Sequence, residues 1–301
     1  MTNRRIFLAA CLVVFVLVAW PGHPAAQAIQ RSLSVSVLND AGEPVPGLGP
    51  SDFIVREDNV AREVLAVARA EEPMHVALLI DNSQAARDDI ANIRQALPTF
   101  IAALTPAGEG VKHDVALIAV GDRPTVLIDY TTNQGALQKG TERLWSQPGS
   151  GAYLLDAIAD VCQGLKKRGP SRPVIVAVTV EGREFSQRAH DQVLGLLRES
   201  GAALYVLAIG PTAVGQNEEA RERDVVLEEG PRTTGGRHVQ LLTSMALDGA
   251  LATLARELTH QYRVTYARPL SLIPPRQVTV ASSKPGLKAR GTLINTASGT
   301  P

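Results

Sequence analysis

Asp81 and Ser83 stand two apart where an apolar run, HVALLI, gives way to DNSQAARDD. A carboxylate and a hydroxyl at that spacing, on a loop leaving a strand, can supply oxygen ligands to a hard cation. They can also build the loop itself, since a carboxylate near a helix start accepts backbone N–H groups. The third chemistry is a catalytic pair, but Ser83 has no histidine nearby in sequence and no G-x-S-x-G frame occurs. GSG at 149–151 precedes a helical pattern and could hold an anion on its backbone, yet it lacks the Gly-Lys-Ser/Thr of a phosphate loop. Cys162 lies on an apolar helical stripe and reads as core. The six histidines show no metal spacing: His75 and His113 precede or edge strands, His190 and His260 read as helical and solvated, His238 follows a glycine pair, and His23 sits in the leader. Lys166–Arg168 reads as a cationic helix end, and Glu218, Glu219, Glu222 and Asp224 as a solvated face.

The elements that must position Asp81 are legible from periodicity. HVALLI is a continuous apolar run, as expected of a strand buried on both faces. Ile90, Ile93, Leu97, Phe100, Ile101 and Leu104 recur at helical spacing, with Asp88 and Asp89 at that helix's start. DVALIAV and PTVLIDY are joined by Gly121-Asp122-Arg123 alone, too short for a crossover, so this pair is expected to be antiparallel. Helices are predicted near 134–145, over the stripe Leu154–Leu165, at 187–200, at 216–230 and over Leu247–Leu258; strands are predicted at PVIVAVTV, ALYVLAI and GGRHVQLL. Strands alternating with helices imply a doubly wound, mostly parallel α/β sheet with helices on both faces. Ligands on such sheets bind beyond the carboxyl ends of the strands, here the loops Asp81–Ala85, Pro148–Ala152 and Val180–Arg183.

Both flanks of this pattern are β in texture. SLSVSV alternates strictly, with Leu33, Val35 and Val37 on one face and serines on the other, the pattern of a half-buried strand whose serine face meets solvent. DFIVRED and AREVLAVAR follow around a hairpin tip at Asp58-Asn59. QVTVA and LKARGTLI are strands near the other end. Each flank is too small to bury a core alone, so the two are expected to pair as one accessory β unit or to dock on the sheet's edge. The resulting organisation is a leader at 1–28, an N-terminal β segment at 29–72, the α/β domain at 73–261, a C-terminal β segment at 262–295 and a loose tail at 296–301.

The first 28 residues differ in kind. Arg4 and Arg5 precede an apolar run from Ile6 to Trp20, followed by small residues at Ala26 and Ala28, the pattern of a signal peptide cleaved after Ala28. The rival reading is an uncleaved membrane anchor; the run is shorter than the roughly 20 residues that span a bilayer, which favours cleavage, after which no stable membrane insertion is expected. The arginine pair in NRRIFL suits either a general secretory or a twin-arginine signal. LAAC resembles a lipoprotein cleavage box, but the apolar run continues past Cys11. Cleavage leaves 28 basic and 30 acidic groups and Cys162 alone, so no internal disulfide forms and stability must come from packing. Apolar residues make up 45% of the chain, enough for a core, and with a net charge of zero no basic excess points at nucleic acid.

From about residue 32 to 292 the sequence resembles the von Willebrand factor A domains, in particular the bacterial exported proteins with a related domain. The likeness rests on VLNDAGEPVPGLGPSDFIVRED, HVALLIDNSQ, GSGAYLLDAI, VIVAVTVEG, ALYVLAIG, TTGGRHV and LARELTHQYRVTYARP, in order. It implies a metal-ion-dependent adhesion site, in which an Asp-x-Ser-x-Ser motif, a threonine and a second aspartate hold Mg²⁺ and a ligand carboxylate completes the shell. Asp81 and Ser83 match the first aspartate and serine. Ala85 replaces the second serine, Ala152 the threonine, and Val180 the second aspartate, with Glu181 one step on. A methyl cannot ligate a cation, so the site is expected to be a remnant, its Asp81 serving the loop. Any surviving metal would need Glu181 beside Asp81 and would suit Ca²⁺ or Mn²⁺ better than Mg²⁺.

The expected function is protein–protein interaction outside the cytoplasm, periplasmic or secreted, without catalysis or a resident cofactor. The partner would meet a face containing Asp81, Gln84, Tyr153 and Glu181. The alternatives are a divergent hydrolase or nucleotide-binding protein using the same cleft, and a purely structural envelope protein.

Overall fold

The computed structural model describes residues 28–170, 172–211, 217–270, 273, 275 and 277–294. The leader, apart from Ala28, the tail at 296–301 and parts of the Pro-rich link after Pro269 lie outside them. The chain opens with β1 (Ala28–Leu38), β2 (Phe53–Glu57), β3 (Val60–Arg62) and β4 (Val64–Arg69). The α/β domain then runs β5 (Met74–Ile80), α1 (Ile90–Leu104), β6 (Asp114–Ala119), β7 (Thr125–Thr131), α2 (Gln134–Thr141), α3 (Leu154–Arg168), β8 (Arg172–Val180), α4 (His190–Ser200), β9 (Ala203–Ile209), α5 (Glu218–Thr234), β10 (Arg237–Leu241) and α6 (Leu247–Thr259). It ends with β11 (Tyr262–Pro269), β12 (Val278–Ser282) and β13 (Lys288–Leu293).

The central sheet has the order β10-β9-β8-β5-β6-β7. Its pairs are parallel except β6–β7, the antiparallel edge that the three-residue link predicts. Because successive side chains on a strand point to opposite faces, β5 feeds two cores. Val76, Leu78 and Ile80 pack with α1 and α6, while Ala77 and Leu79 pack with α3, α4 and α5. The sheet is therefore covered on both faces, and the ends of β5, β8 and β9 bring the loops after them together at one edge. α2 is shorter than the expected 134–145 because the amides of Arg143 and Leu144 turn back three residues to Gly140 and Thr141.

The flanking segments pair with each other. One sheet has the order β13-β1-β11-β4 and a second the order β12-β2-β3. Leu33, Val35, Val37, Phe53, Val55, Val264 and Tyr266 form the core between them. The β2–β3 hairpin turns at Asp58 (φ 47°) and Asn59 (φ 67°), the two positive φ values that a two-residue type I′ turn requires. Two expectations are corrected. AREVLAVAR is not one strand: it breaks at Glu63, so that β3 joins one sheet and β4 the other, as happens at the corner of a sandwich. The serine face of β1 is not solvated either. Ser34 and Ser36 are buried, and Gln261 bridges them, accepting from Ser34 Oγ at 2.7 Å and donating to Ser36 Oγ at 2.9 Å. Arg172 donates to the same Gln261 carbonyl at 2.7 Å, so this polar seam joins the β unit to the α/β domain.

Candidate functional site

Asp81 follows the last residue of β5 and has no exposed surface. Its Oδ1 accepts the Ser83 amide at 2.8 Å, and its Oδ2 accepts the Val180 amide at 3.0 Å and the Thr179 hydroxyl at 3.3 Å. The carboxylate thus ties its own loop to the end of β8. Removing a buried carboxylate that several donors reach leaves those donors unpaired.

The neighbouring loops are knitted by similar bonds. Asn82 accepts from the Gly121 amide at 2.8 Å and donates to the Trp145 carbonyl at 3.0 Å. The Ser83 carbonyl accepts from Ser146 Oγ at 3.0 Å. Gln84 Oε1 accepts the Gly149 amide at 2.9 Å. Ala152 is held on both sides of its peptide, its amide donating to Arg183 O and its carbonyl accepting from Phe185 N. A Cβ built on Gly182 would come within 2.4 Å of the Ala85 methyl, so these two loops meet without room between them.

Glu181 does not turn toward Asp81. Its Oε2 accepts from Arg223 NH2 at 2.9 Å, and Arg223 also reaches the Gly182 carbonyl at 3.2 Å and Asp224. Arg223 is only 3% exposed, and half-buried Glu181 is a counter-charge for this buried cation. The acids of α5 are likewise not all a solvated face: Glu222 accepts from both the amide and Nδ1 of His190, which lowers its pKa, and Asp224 pairs with Arg223.

A Mg²⁺ shell of the adhesion-site kind asks for six oxygens. Here both Asp81 oxygens already take protein donors, two positions carry methyls, and Glu181 serves Arg223, so this donor set does not fit a tightly held Mg²⁺. Among the described residues no group of three His, Cys, Asp or Glu is placed to hold a metal ion. Of the four residues expected on a partner face, Gln84 is exposed and Tyr153 and Glu181 are half-buried. Asp81 is inaccessible, which corrects its expected place among residues that a partner could touch.

The residue that sequence reasoning missed is Glu184. It is fully buried, its Oε1 accepts the amides of Leu154 and Ser186, and burial pushes its carboxyl up to about 7. Ser186 Oγ accepts the Asp156 amide at 3.0 Å, so the 184–186 loop caps α3 from outside the helix. The only sequence signal was the run EGREFS, two acids three apart and a serine after them. Cys162 is buried and its thiol is pushed up to about 12 by desolvation, as a core residue should be.

A doubly wound, mostly parallel sheet with one antiparallel edge strand and an acid at the end of a central strand defines a class of ligand-binding α/β domains. Within that class, residues 76–182 match the family model of the von Willebrand factor type A domain, and the chain carries such a domain. Among solved structures it is similar to BatB from Bacteroides thetaiotaomicron, with 15% identity over 62% of this chain and 97% of that one and a TM-score of 0.47. It is also similar to a von Willebrand factor type A protein from Catenulispora acidiphila (10% identity, 89% and 72% covered, TM-score 0.48). A third likeness is to the SpRpn10 VWA domain (16% identity, 60% and 94% covered, TM-score 0.45). The comparison with curated protein sequences gives no match. Among the described residues, no helix is long and apolar enough to cross a membrane.

Proposed function

We propose that this is an exported protein that binds another protein through the strand-end face of its von Willebrand factor A domain, with the metal site reduced to Asp81 and Ser83. The observation that carries the reading is the engagement of Asp81, whose two oxygens both accept protein donors and hold the loops together. A face that lacks a cation must bind by shape and hydrogen bonds. Around the start of α1 it offers exposed Gln84 with apolar side chains unusual for a surface: Trp145 is 62%, Leu242 82% and Met245 83% exposed. Asn82 fixes the Trp145 backbone, Arg94 stacks on the Trp145 ring at 4.3 Å, and Asn92 of α1 donates to Ser244 beside Met245. Apolar groups rimmed by polar loops are the composition of a protein-binding patch. Export is supported by the basic, apolar and small-residue pattern before Ile29. Catalysis is not part of the reading.

The test is capture from cell-envelope extract on the immobilised protein, with and without chelator, beside a Trp145→Ala/Met245→Glu variant. A partner that survives the chelator and is lost with the double variant fits the proposal. A partner released by the chelator, or one indifferent to both substitutions, contradicts it.

A further inference from the structure

A cavity of about 530 Å³ opens between the loop 184–189, the start of α3 and the start of α5. Tyr153 and Phe185 line it, their rings edge to face at 6.0 Å. Glu184 lines it as well, without exposed surface, and its Oε2 has no hydrogen-bond partner. Glu218 and Glu219 stand exposed at its mouth on the first turn of α5.

Helix starts ordinarily favour anions. Here their amides are already supplied by protein oxygens: Leu154 by Glu184, Asp156 by Ser186, His190 by Glu222 and Ala220 by Asn217. Among the described residues lining the cavity the one cation is Arg188, held between Asp156 at 3.5 Å and Asp160 at 3.7 Å. The cavity therefore combines carboxylates in excess with two aromatic rings, and one of its carboxylate oxygens is buried without a donor.

We propose that this cavity receives an arginine side chain of the partner protein, with Glu184 Oε2 accepting from the guanidinium and one ring of the perpendicular pair Tyr153 and Phe185 packing on its plane. A guanidinium supplies the missing donor and matches both a carboxylate and an aromatic face. Glu218 and Glu219 attract the cation to the mouth. The proposal rests on the reading of the strand-end face as protein-binding only for the source of the arginine. A small probe reads the cavity alone, so a failed probe and a failed partner capture remain separate results.

The test is an NMR titration of the ¹⁵N-labelled protein at neutral pH with N-acetyl-arginine amide, and with its uncharged isostere N-acetyl-citrulline amide. Expected are saturable shifts at the amides of Tyr153, Phe185 and Ser186, at least tenfold weaker binding of the citrulline compound, and at least tenfold weaker arginine binding by Glu184→Gln. Because Glu184 also caps α3, the exposed pair Glu218→Gln/Glu219→Gln provides a second variant that leaves the buried groups intact, with an expected loss of about threefold. Equal binding of the two compounds, shifts confined to other residues, or unchanged affinity in the exposed double variant overturns the proposal.

Discussion

At the scale of single residues, the account turns on what a buried carboxylate is for. If Asp81 holds its loop, Asp81→Ala strands the Ser83 and Val180 amides and the Thr179 hydroxyl. Stranded buried donors cost about 1–3 kcal/mol each before relaxation, so a total loss of about 2–4 kcal/mol is expected in urea unfolding without added metal. Asp81→Asn, which keeps one acceptor, should lose less. A residue kept only to ligate a cation would show no loss in metal-free buffer. Glu184 and His113 make a second, pH-dependent prediction. Burial raises Glu184 to about 7 from an ordinary 4.5, so its contribution to stability is whole below pH 4.5 and is lost as pH rises toward 7. Burial, with Arg172 nearby, lowers His113 to about 4 from 6.5, and its neutral Nδ1 accepts the Met74 amide. Its contribution is whole above pH 6.5 and is lost as pH falls toward 4. The two oppose each other between pH 4.5 and 6.5. Relative to the unsubstituted protein, Glu184→Gln should gain stability as pH rises through that window and His113→Gln should lose it, each by about 1–3 kcal/mol. Denaturant melts at both ends of the window check this, and identical profiles for all three proteins would contradict it.

At the scale of elements, periodicity carried most of the information. Continuous apolar runs became the buried central strands, and the stripes from Ile90 and Leu154 became α1 and α3. What periodicity could not carry was contact between distant segments. The serine face of β1 looked solvated because its cover, Gln261, lies 227 positions from Ser34. The break at Glu63 was hidden because only the pairing of β4 with β11 separates it from β3. The candidate site was half legible for the same reason. Asp81 could be found by type and place, but its Thr179 donor is 98 positions away. Of the two acids after β8, nothing local distinguishes Glu181, which meets Arg223, from Glu184, which is buried at α3. Glycines show the same dependence on context. A Cβ on Gly236 would stand 1.9 Å from the Leu204 carbonyl oxygen, whereas Gly249, in α6, has nothing within 4 Å. Gly236→Ala should therefore destabilise by about 3 kcal/mol or more. Gly249→Ala should stabilise by about 0.5–1 kcal/mol through helix propensity. Thermal unfolding of both variants decides, and similar shifts in the two would contradict the packing described.

At the scale of the whole molecule, two units share a polar seam at Gln261, and that seam should make them unfold as one. Gln261 meets Ser34, Ser36, Arg172 and Tyr205. Gln261→Ala removes these partners at once, and a loss of about 2–4 kcal/mol is expected from the stranded polar groups. Denaturation followed by two probes, one in each unit, should give one transition in the unsubstituted protein and two in Gln261→Ala; coincident transitions at unchanged stability in the variant would show that the seam does not couple them. Above the seam, hydrogen bonds tie the strand-end loops together, and both Asp81 oxygens accept protein donors. The central claim is that the face built on this network binds without a tightly held cation. Calorimetric titration of the protein with Mg²⁺, Mn²⁺ and Ca²⁺ tests it most directly. The account predicts no isotherm at about millimolar affinity or tighter for any of the three. A millimolar-or-tighter isotherm that Asp81→Asn abolishes would contradict it.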